Sequence, residues 1–410
     1  MTTPRQLLQR LFDVAVESAL PENCVPANLP DPPTGRTIVI GAGKASAAMA
    51  KALEDNWPDK LSGLVVTRYG YEVACRRIEI ISASHPVPDA ASETAARRML
   101  DLLAGLSKDD LVIALISGGA SSLLCLPAPG LTLADKQAVN AALLASGATI
   151  SEMNAVRKKL SAVKGGRLAE AAFPAKVVSL VISDVPGDDL SIIGSGPTVA
   201  DDTSASTALE VLSRYQIKAP ARVMNVLEKA KAGETAHKPM RSTAILIATP
   251  GMALAAAARE ARKSGFEPVM LGDALEGEAS RVGRDHAKLA LQSSPKSIIL
   301  SGGELTVTMA SGGGEGGPSS EYALALALGL DGAPGIYAIA CDTDGVDGSK
   351  DNAGAFIDPQ TLANADRLGL DAQHFLDAHD AWTFFDKAGG LVVTGPTFTN
   401  VNDFRAILVE

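Results

Sequence analysis

The sequence predicts a two-domain α/β protein with a largely parallel sheet in its first half. Three observations predict it. Short β-branched runs alternate with helical patterns along the chain, the signature of βαβ units. The first run passes through a glycine turn into an alanine-rich helix, "IVIGAGKASAAMAKAL" at 38–53. The chain has 410 residues, 46% of them hydrophobic, which is enough to bury more than one core.

In chain order, "TIVI" (37–40), "GLVV" (63–66), "IEII" (78–81), "LVIALI" (111–116) and "KVVSLVI" (176–182) read as buried strands between helices. A polar stretch, 230–242, then separates a second series: "AILIA", "EPVML", "SIIL", "GIYAIA" and "LVVTG". The domain boundary is expected near 238, giving domains 1–238 and 239–410. "GLSKDD" (105–110) and the glycine-rich 310–320 read as exposed turns. "LISGGASSLL" and "ILSGGELTVT" each end a strand-like run with Ser-Gly-Gly, which suggests that each half supplies one wall of a cleft.

Composition narrows the function. The net charge of −10 comes from scattered acids; it disfavours a nucleic-acid surface and leaves no basic run for a membrane. A small-molecule substrate is expected. Cys24, Cys75, Cys125 and Cys341 lie far apart without a C-x-x-C pair, so neither a disulfide framework nor a zinc site is indicated and a reducing cytoplasm is expected. No uninterrupted apolar run reaches the roughly 18 residues that span a bilayer. Oligomeric state is not legible.

The glycine turn at 41–46 can present helix amides to a phosphate, as reductases and phosphotransferases both require. Gly41, Gly43 and Ser46 supply only two of the three glycines of a dinucleotide fingerprint. A Walker loop would need glycine at 38, where Ile38 stands. Lys44, at the helix start, adds a full charge to the helix's positive end. Arg68, closing the second strand, is where an NADP enzyme could hold a 2'-phosphate.

The number of further anion-compatible loops favours a phosphotransferase. Ser117, Gly118, Gly119, Ser121 and Ser122 leave a strand with glycines and hydroxyls. In "MNAVRKKLSAVKGGRLAE" (153–170), Asn154, Arg157, Lys158 and Ser161 form a polar helical stripe, against an apolar one of Met153, Val156, Leu160 and Val163. Lys164, Gly165, Gly166 and Arg167 follow at a turn. Next, "SDVPGDDLSIIGSGPT" brings Asp184, Asp188 and Asp189 beside a loop containing Gly194, Ser195 and Gly196. Carboxylates beside anion loops suit magnesium bound largely through phosphate oxygens. Glu304, Asp342, Asp344 and Asp347 add acids in the second half, and Val346 and Ala353 exclude an EF-hand reading of "DTDGVDG". His85, in "SHPVPD", either touches substrate or makes a structural hydrogen bond.

Together "GAGKASAAMA", "HPVPD", "LISGGASSLL", "MNAVRKKLSAVKGGRLA", "SDVPGDDLSIIGSGPT", "SGGELTVT", "DTDGVDG" and "TGPTFTNVND" resemble the class II glycerate 2-kinase family across nearly the whole chain. The resemblance implies an N-terminal Rossmann-like, doubly wound domain, a C-terminal MOFRL domain and a cleft between them. It also implies ATP- and Mg2+-dependent phosphorylation of D-glycerate to 2-phosphoglycerate. It carries the family's turn lysine onto Lys44, its strand-end aspartate onto Asp184 and its basic helix onto Asn154, Arg157, Lys158 and Lys164. Many members are labelled hydroxypyruvate reductase, which is the alternative activity; a non-catalytic sugar-acid or nucleotide sensor is a second. Two positions depart from the family pattern. Pro318 stands where an arginine is usual, so that either Arg157 or Arg167 supplies that charge or the protein prefers another substrate, and Phe398 replaces a glycine.

The expected site therefore has Lys44 and Asp184 as catalytic residues. Gly41, Gly43, Ser117, Gly118, Gly119, Ser121, Ser122, Lys164, Gly165, Gly166, Gly194, Ser195 and Gly196 would bind ATP phosphates. Asn154, Arg157, Lys158 and His85 would bind the acceptor, and Asp184 and Asp188 would hold magnesium.

Overall fold

A computed structural model describes residues 2–233, 239–308 and 313–410. The boundary expected at 238, and positions 310–312 of the expected glycine-rich turn, lie outside the described residues. The chain packs as two compact units that are not the linear halves 1–238 and 239–410. One comprises Cys24–Ser183 and Asp188–Ile247; the other comprises Met1–Asn23, Asp184–Gly187 and Ala248–Glu410.

The first unit holds six strands: β1 (Thr37–Ala42), β2 (Ser62–Arg68), β3 (Ile78–Ala83), β4 (Leu111–Ile116), β5 (Lys176–Ile182) and β6 (Ser242–Ala248). Their order is β3-β2-β1-β4-β5-β6, and the pairings from β3 through β5 are parallel. This is the doubly wound dinucleotide-fold order, in which β1 and β4 flank the point where strand order reverses. Both strands are buried along their whole length, which is why they read as continuous apolar runs and not as alternating ones. "AILIA", expected to begin the second domain, is β6 of this sheet. The amide of Val177 donates to the Arg241 carbonyl at 2.7 Å and the Ser242 hydroxyl to the Thr198 carbonyl at 2.8 Å.

The second unit holds β7 (Glu267–Glu278), β8 (Ser297–Thr306), β9 (Ile336–Asp342), β10 (Gly354–Ile357), β11 (Leu391–Val392) and β12 (Asp403–Val409), in the order β11-β10-β9-β12-β8-β7. Only β7 and β8 pair in parallel; the other pairings are antiparallel. The alternation of strands and helices does not reveal this, because connection length alone does not determine strand direction. β12 is central and fully buried, yet its charges hide it from a hydropathy reading. Asp403 and Arg405 pair with each other at 2.8 Å in the interior, where Arg405 also donates to the carbonyls of Gly302 and Gly303.

The helix Pro4–Ala19, opened by a Thr3–Gln6 capping box, belongs to this second unit. Its apolar stripe, including Leu8, Leu11 and Phe12, is buried, and Phe12 meets Phe404 of β12 with ring centroids 5.8 Å apart. The Ser-Gly-Gly echo is not a structural one: Ser117–Gly119 follows β4, whereas Ser301–Gly303 lies inside β8. All four cysteines are free. Among the described residues no helix is long and apolar enough to cross a membrane.

Candidate functional site

The carboxyl ends of β1 and β4 are tied together by the turns that leave them. Gly43 takes φ +141°, and a Cβ there would come within 2.6 Å of the Ser117 carbonyl oxygen, so only glycine permits the approach. The Lys44 amide donates to the Gly118 carbonyl at 2.8 Å and the Ala45 amide to the Ser117 hydroxyl at 3.0 Å. The Gly43 amide donates to Val66 and the Ser46 amide to Gly43. The amides at 43–46 are thus satisfied within the protein, and the turn shapes the ends of β1 and β4.

The glycine turns at 165–166 and 194–196 clasp each other in the same way. Gly165 and Gly166 donate to the carbonyls of Ser195 and Gly196 at 3.1 and 2.8 Å. Ser195 and Gly196 donate to Ile192 and Ile193. Ser121 and Ser195 share a hydroxyl hydrogen bond of 2.9 Å. The amides of Gly165, Gly166, Ser195 and Gly196 are thus used within the protein.

The helix Ile150–Lys159 divides its polar residues between two environments. Lys158, expected to bind the acceptor, is buried. It lies in the interior near Asp201, with Nζ–Oδ1 at 3.5 Å, and Lys159 pairs with the same carboxylate at 3.1 Å. Asn154 is buried, its Oδ1 accepting from the Ser195 hydroxyl at 3.4 Å. Arg167 is also used structurally, donating to the carbonyls of Lys158 and Lys164. Arg157 differs: it lines a cavity of about 580 Å³, within the ~300–1,000 Å³ range of small-molecule sites.

That cavity brings together Arg157, Lys164, Ser121, Ser122, Ser195, His85 and Gly119 from four separate segments. It does not include Lys44 among its lining residues, but Lys44 is adjacent. A Cβ on Gly119 would lie 3.0 Å from His85 Cδ2 and 3.4 Å from Lys44 Cγ. Lys136, Gln137, Asn140 and Cys125 also line it, and sequence reasoning did not single them out for this role. Val87, Val139, Leu144 and Leu160 provide its apolar surface.

The electrostatics of this cavity are one-sided. No aspartate or glutamate appears among its described lining residues. Lys164 is buried, with its ammonium donating to the Ser121 carbonyl at 2.7 Å. Burial, reinforced by the positive charges of Lys136 and Arg157, pushes its pKa down to about 7. Burial likewise lowers the pKa of Lys136 and Arg157. Cations gathered without a counter-charge favour a bound anion, which relieves both desolvation and mutual repulsion.

Of the acids expected to hold magnesium, Asp188 lies in the first unit and Asp184 in the second. Asp188 has a buried Oδ1 with no hydrogen-bond partner among the described residues. Asp184 accepts from Asn400 Nδ2 at 3.1 Å. No group of three or more metal-ligating side chains forms among the described residues. Asp188 therefore fits a magnesium ion bound mainly through phosphate oxygens, which needs only one or two carboxylates. Asp347 has a different task, accepting from the amides of Ser319 and Ser320 at 2.9 and 2.8 Å. It thereby caps the helix Pro318–Leu330, in which Pro318 takes the first position.

A Rossmann-type sheet carrying a cation-lined cavity, with its turn residues near the strand ends, defines a protein built to bind an anionic small molecule. Residues 7–228 match the domain of unknown function DUF4147 and residues 297–403 match the MOFRL family. The chain belongs to this DUF4147–MOFRL family, the class II glycerate kinase family. It is 55% identical to an Agrobacterium vitis protein named for hydroxypyruvate reductase, covering 99% of this chain and 94% of that one. It is 38% identical to the D-glycerate 2-kinase of Thermotoga maritima, covering 97% of each. The crystal structure of glycerate kinase from Thermotoga maritima superposes with a TM-score of 0.92 over 99% of both chains, at 36% identity. Within this chain Phe398 holds φ +59°, a left-handed conformation that glycine adopts without strain.

Proposed function

We propose that the chain is a glycerate 2-kinase, transferring the γ-phosphoryl group of ATP to the 2-hydroxyl of D-glycerate. The observation that carries this reading is the cavity, where Arg157 and Lys164 are held beside Ser121 and Ser122 with no acidic partner among the described residues. Similarity to the D-glycerate 2-kinase over 97% of each chain supports it independently.

In this reading Arg157 and Lys164 bind oxyanions of the substrates, with the hydroxyls of Ser121 and Ser122 as further donors. His85, which lines the same cavity beside Gly119, contacts the acceptor. Lys44 stabilises charge on the transferring group, which is where a largely dissociative phosphoryl transfer needs help. Asp184, oriented by Asn400, accepts the proton of the attacking hydroxyl. Asp188 would hold magnesium, whose chemistry is to neutralise the phosphate oxygens. We place the protein in the cytoplasm, a reading supported by the four free cysteines.

The reductase reading loses both of its sequence supports. The turn amides at 43–46 are occupied, and the Arg68 guanidinium lies 5.4 Å over the Tyr71 ring. The test is direct: D-glycerate with MgATP in one assay, hydroxypyruvate with NADH or NADPH in the other. ADP formation is expected, with a product that enolase dehydrates without a mutase. Cofactor oxidation without ADP formation would refute the kinase, and no turnover in either assay would favour the sensor.

A further inference from the structure

Lys136 has no part in the reading above, yet it is the least compensated charge in the cavity. It sits on the helix Leu133–Ala145, next to Asp135. Asp135 is committed elsewhere: it accepts from the Thr132 amide and hydroxyl at 2.8 and 2.6 Å and pairs with Arg222 at 3.3 Å. The Lys136 ammonium is enclosed and has no hydrogen-bond partner among the described residues, and the same is true of Arg157 Nε. Both side chains line the cavity with Lys164.

A lysine retained for packing would bury its stem and carry its charge to water or to a carbonyl. Here the stem is partly exposed and the charged end is the buried part, the reverse of that arrangement. Enclosing an ammonium without an acceptor is costly, and the arrangement makes sense when an acceptor arrives with the ligand.

We propose that Lys136 is a ligand-binding residue, completing with Arg157 and Lys164 a three-cation receptor for a single ionised oxyanion group. That group is a carboxylate of the acceptor or a phosphate of the nucleotide; the chemistry is shared, and only the naming of the two ligands rests on the kinase reading. Asn140, one helical turn further on, lines the same cavity and offers a neutral donor beside the charges; Gln137 lines it too, its amide already donating to the Pro88 carbonyl at 3.0 Å.

The test uses full-length wild type, Lys136→Met and Lys136→Arg, with inorganic phosphate, D-glycerate and MgATP as separate probes. Thermal unfolding is measured with and without each probe, and KM and kcat for both substrates. Wild type is expected to be stabilised by at least one probe. Lys136→Met should melt no lower than wild type when unliganded, because it removes an uncompensated buried charge, and should lose that stabilisation. Its KM should rise at least tenfold for one substrate with kcat within about threefold, and Lys136→Arg should recover most of the loss. A rise confined to D-glycerate assigns the carboxylate; one confined to MgATP assigns the phosphate.

The proposal is overturned if no probe stabilises wild type, or if Lys136→Met keeps the stabilisation and both KM values within twofold. It is also overturned if Lys136→Met and Lys136→Arg are equally destabilised and equally impaired, the pattern of a structural role. Absence of ADP formation by wild type would defeat the kinase reading and leave this one to be decided by the melting measurements.

Discussion

Lys164 should make anion binding a proton-linked event. Its ammonium is buried and its pKa is depressed to about 7 by burial and by its cationic neighbours. At pH 8 roughly one unliganded molecule in ten then carries the charge. An oxyanion placed against Lys164 restores the charged form, so binding at pH 8 should take up as much as about one proton. Above pH 7 affinity should fall by up to about tenfold, or ~1.4 kcal/mol, per pH unit.

D-glycerate is the right probe, because its carboxylate stays ionised throughout this range. Isothermal titration at pH 6, 7, 8 and 9, repeated in buffers of different ionisation enthalpy, yields proton uptake directly. Lys164→Met should reduce the uptake and flatten the pH dependence, leaving only what Lys136 contributes. Stability follows with its own sign. The unfolded lysine binds its proton up to about pH 10.4, whereas the folded one releases it near 7. The unfolded chain therefore holds more protons between those values, and the unliganded protein should gain stability from pH 7 to 9 by at most about 1.4 kcal/mol per unit from this group. Lys136 shifts in the same direction. Measurable binding at pH 8 with no proton uptake would refute the reasoning.

Three further outcomes are expected. Lys44→Ala should lower kcat by at least ~100-fold, the effect of losing about 3 kcal/mol of transition-state charge stabilisation; near-normal turnover in steady-state assays would remove Lys44 from the mechanism. Gly119→Ala combines φ +81° with a Cβ 3.0 Å from His85; urea denaturation should show a loss of about 1–3 kcal/mol, with displaced His85 raising KM for D-glycerate. Asp201→Ala strands Lys158 and Lys159 in the interior; denaturation should reveal a loss of about 3 kcal/mol, and a change under 1 kcal/mol would mean that solvent already compensates these lysines.

What the sequence alone determined about this protein is what depends on neighbours along the chain. The buried runs of β1, β4 and β5 are legible because strands covered on both faces are nearly continuously apolar. Lys164 and the serines after β4 are legible because glycine turns are locally distinctive, and Arg157 because it falls on a polar helical stripe. Only the tertiary structure decided which of those groups face the cavity. Lys158 and Arg157 are adjacent in sequence, yet Asp201, more than forty residues later, draws one into the interior while the other lines the cavity. The amides of the glycine turns look available in the sequence and are taken by Gly118, Ser117, Ser195 and Gly196 in space. β12 and Lys136 went unread for the same physical reason: a charge inside an apolar run, or alone on a helix, takes its meaning from a partner that local periodicity does not encode. For Arg405 that partner is Asp403 and two strand carbonyls. For Lys136 no described residue serves, and the energetic cost of that isolation is what directs attention to a ligand.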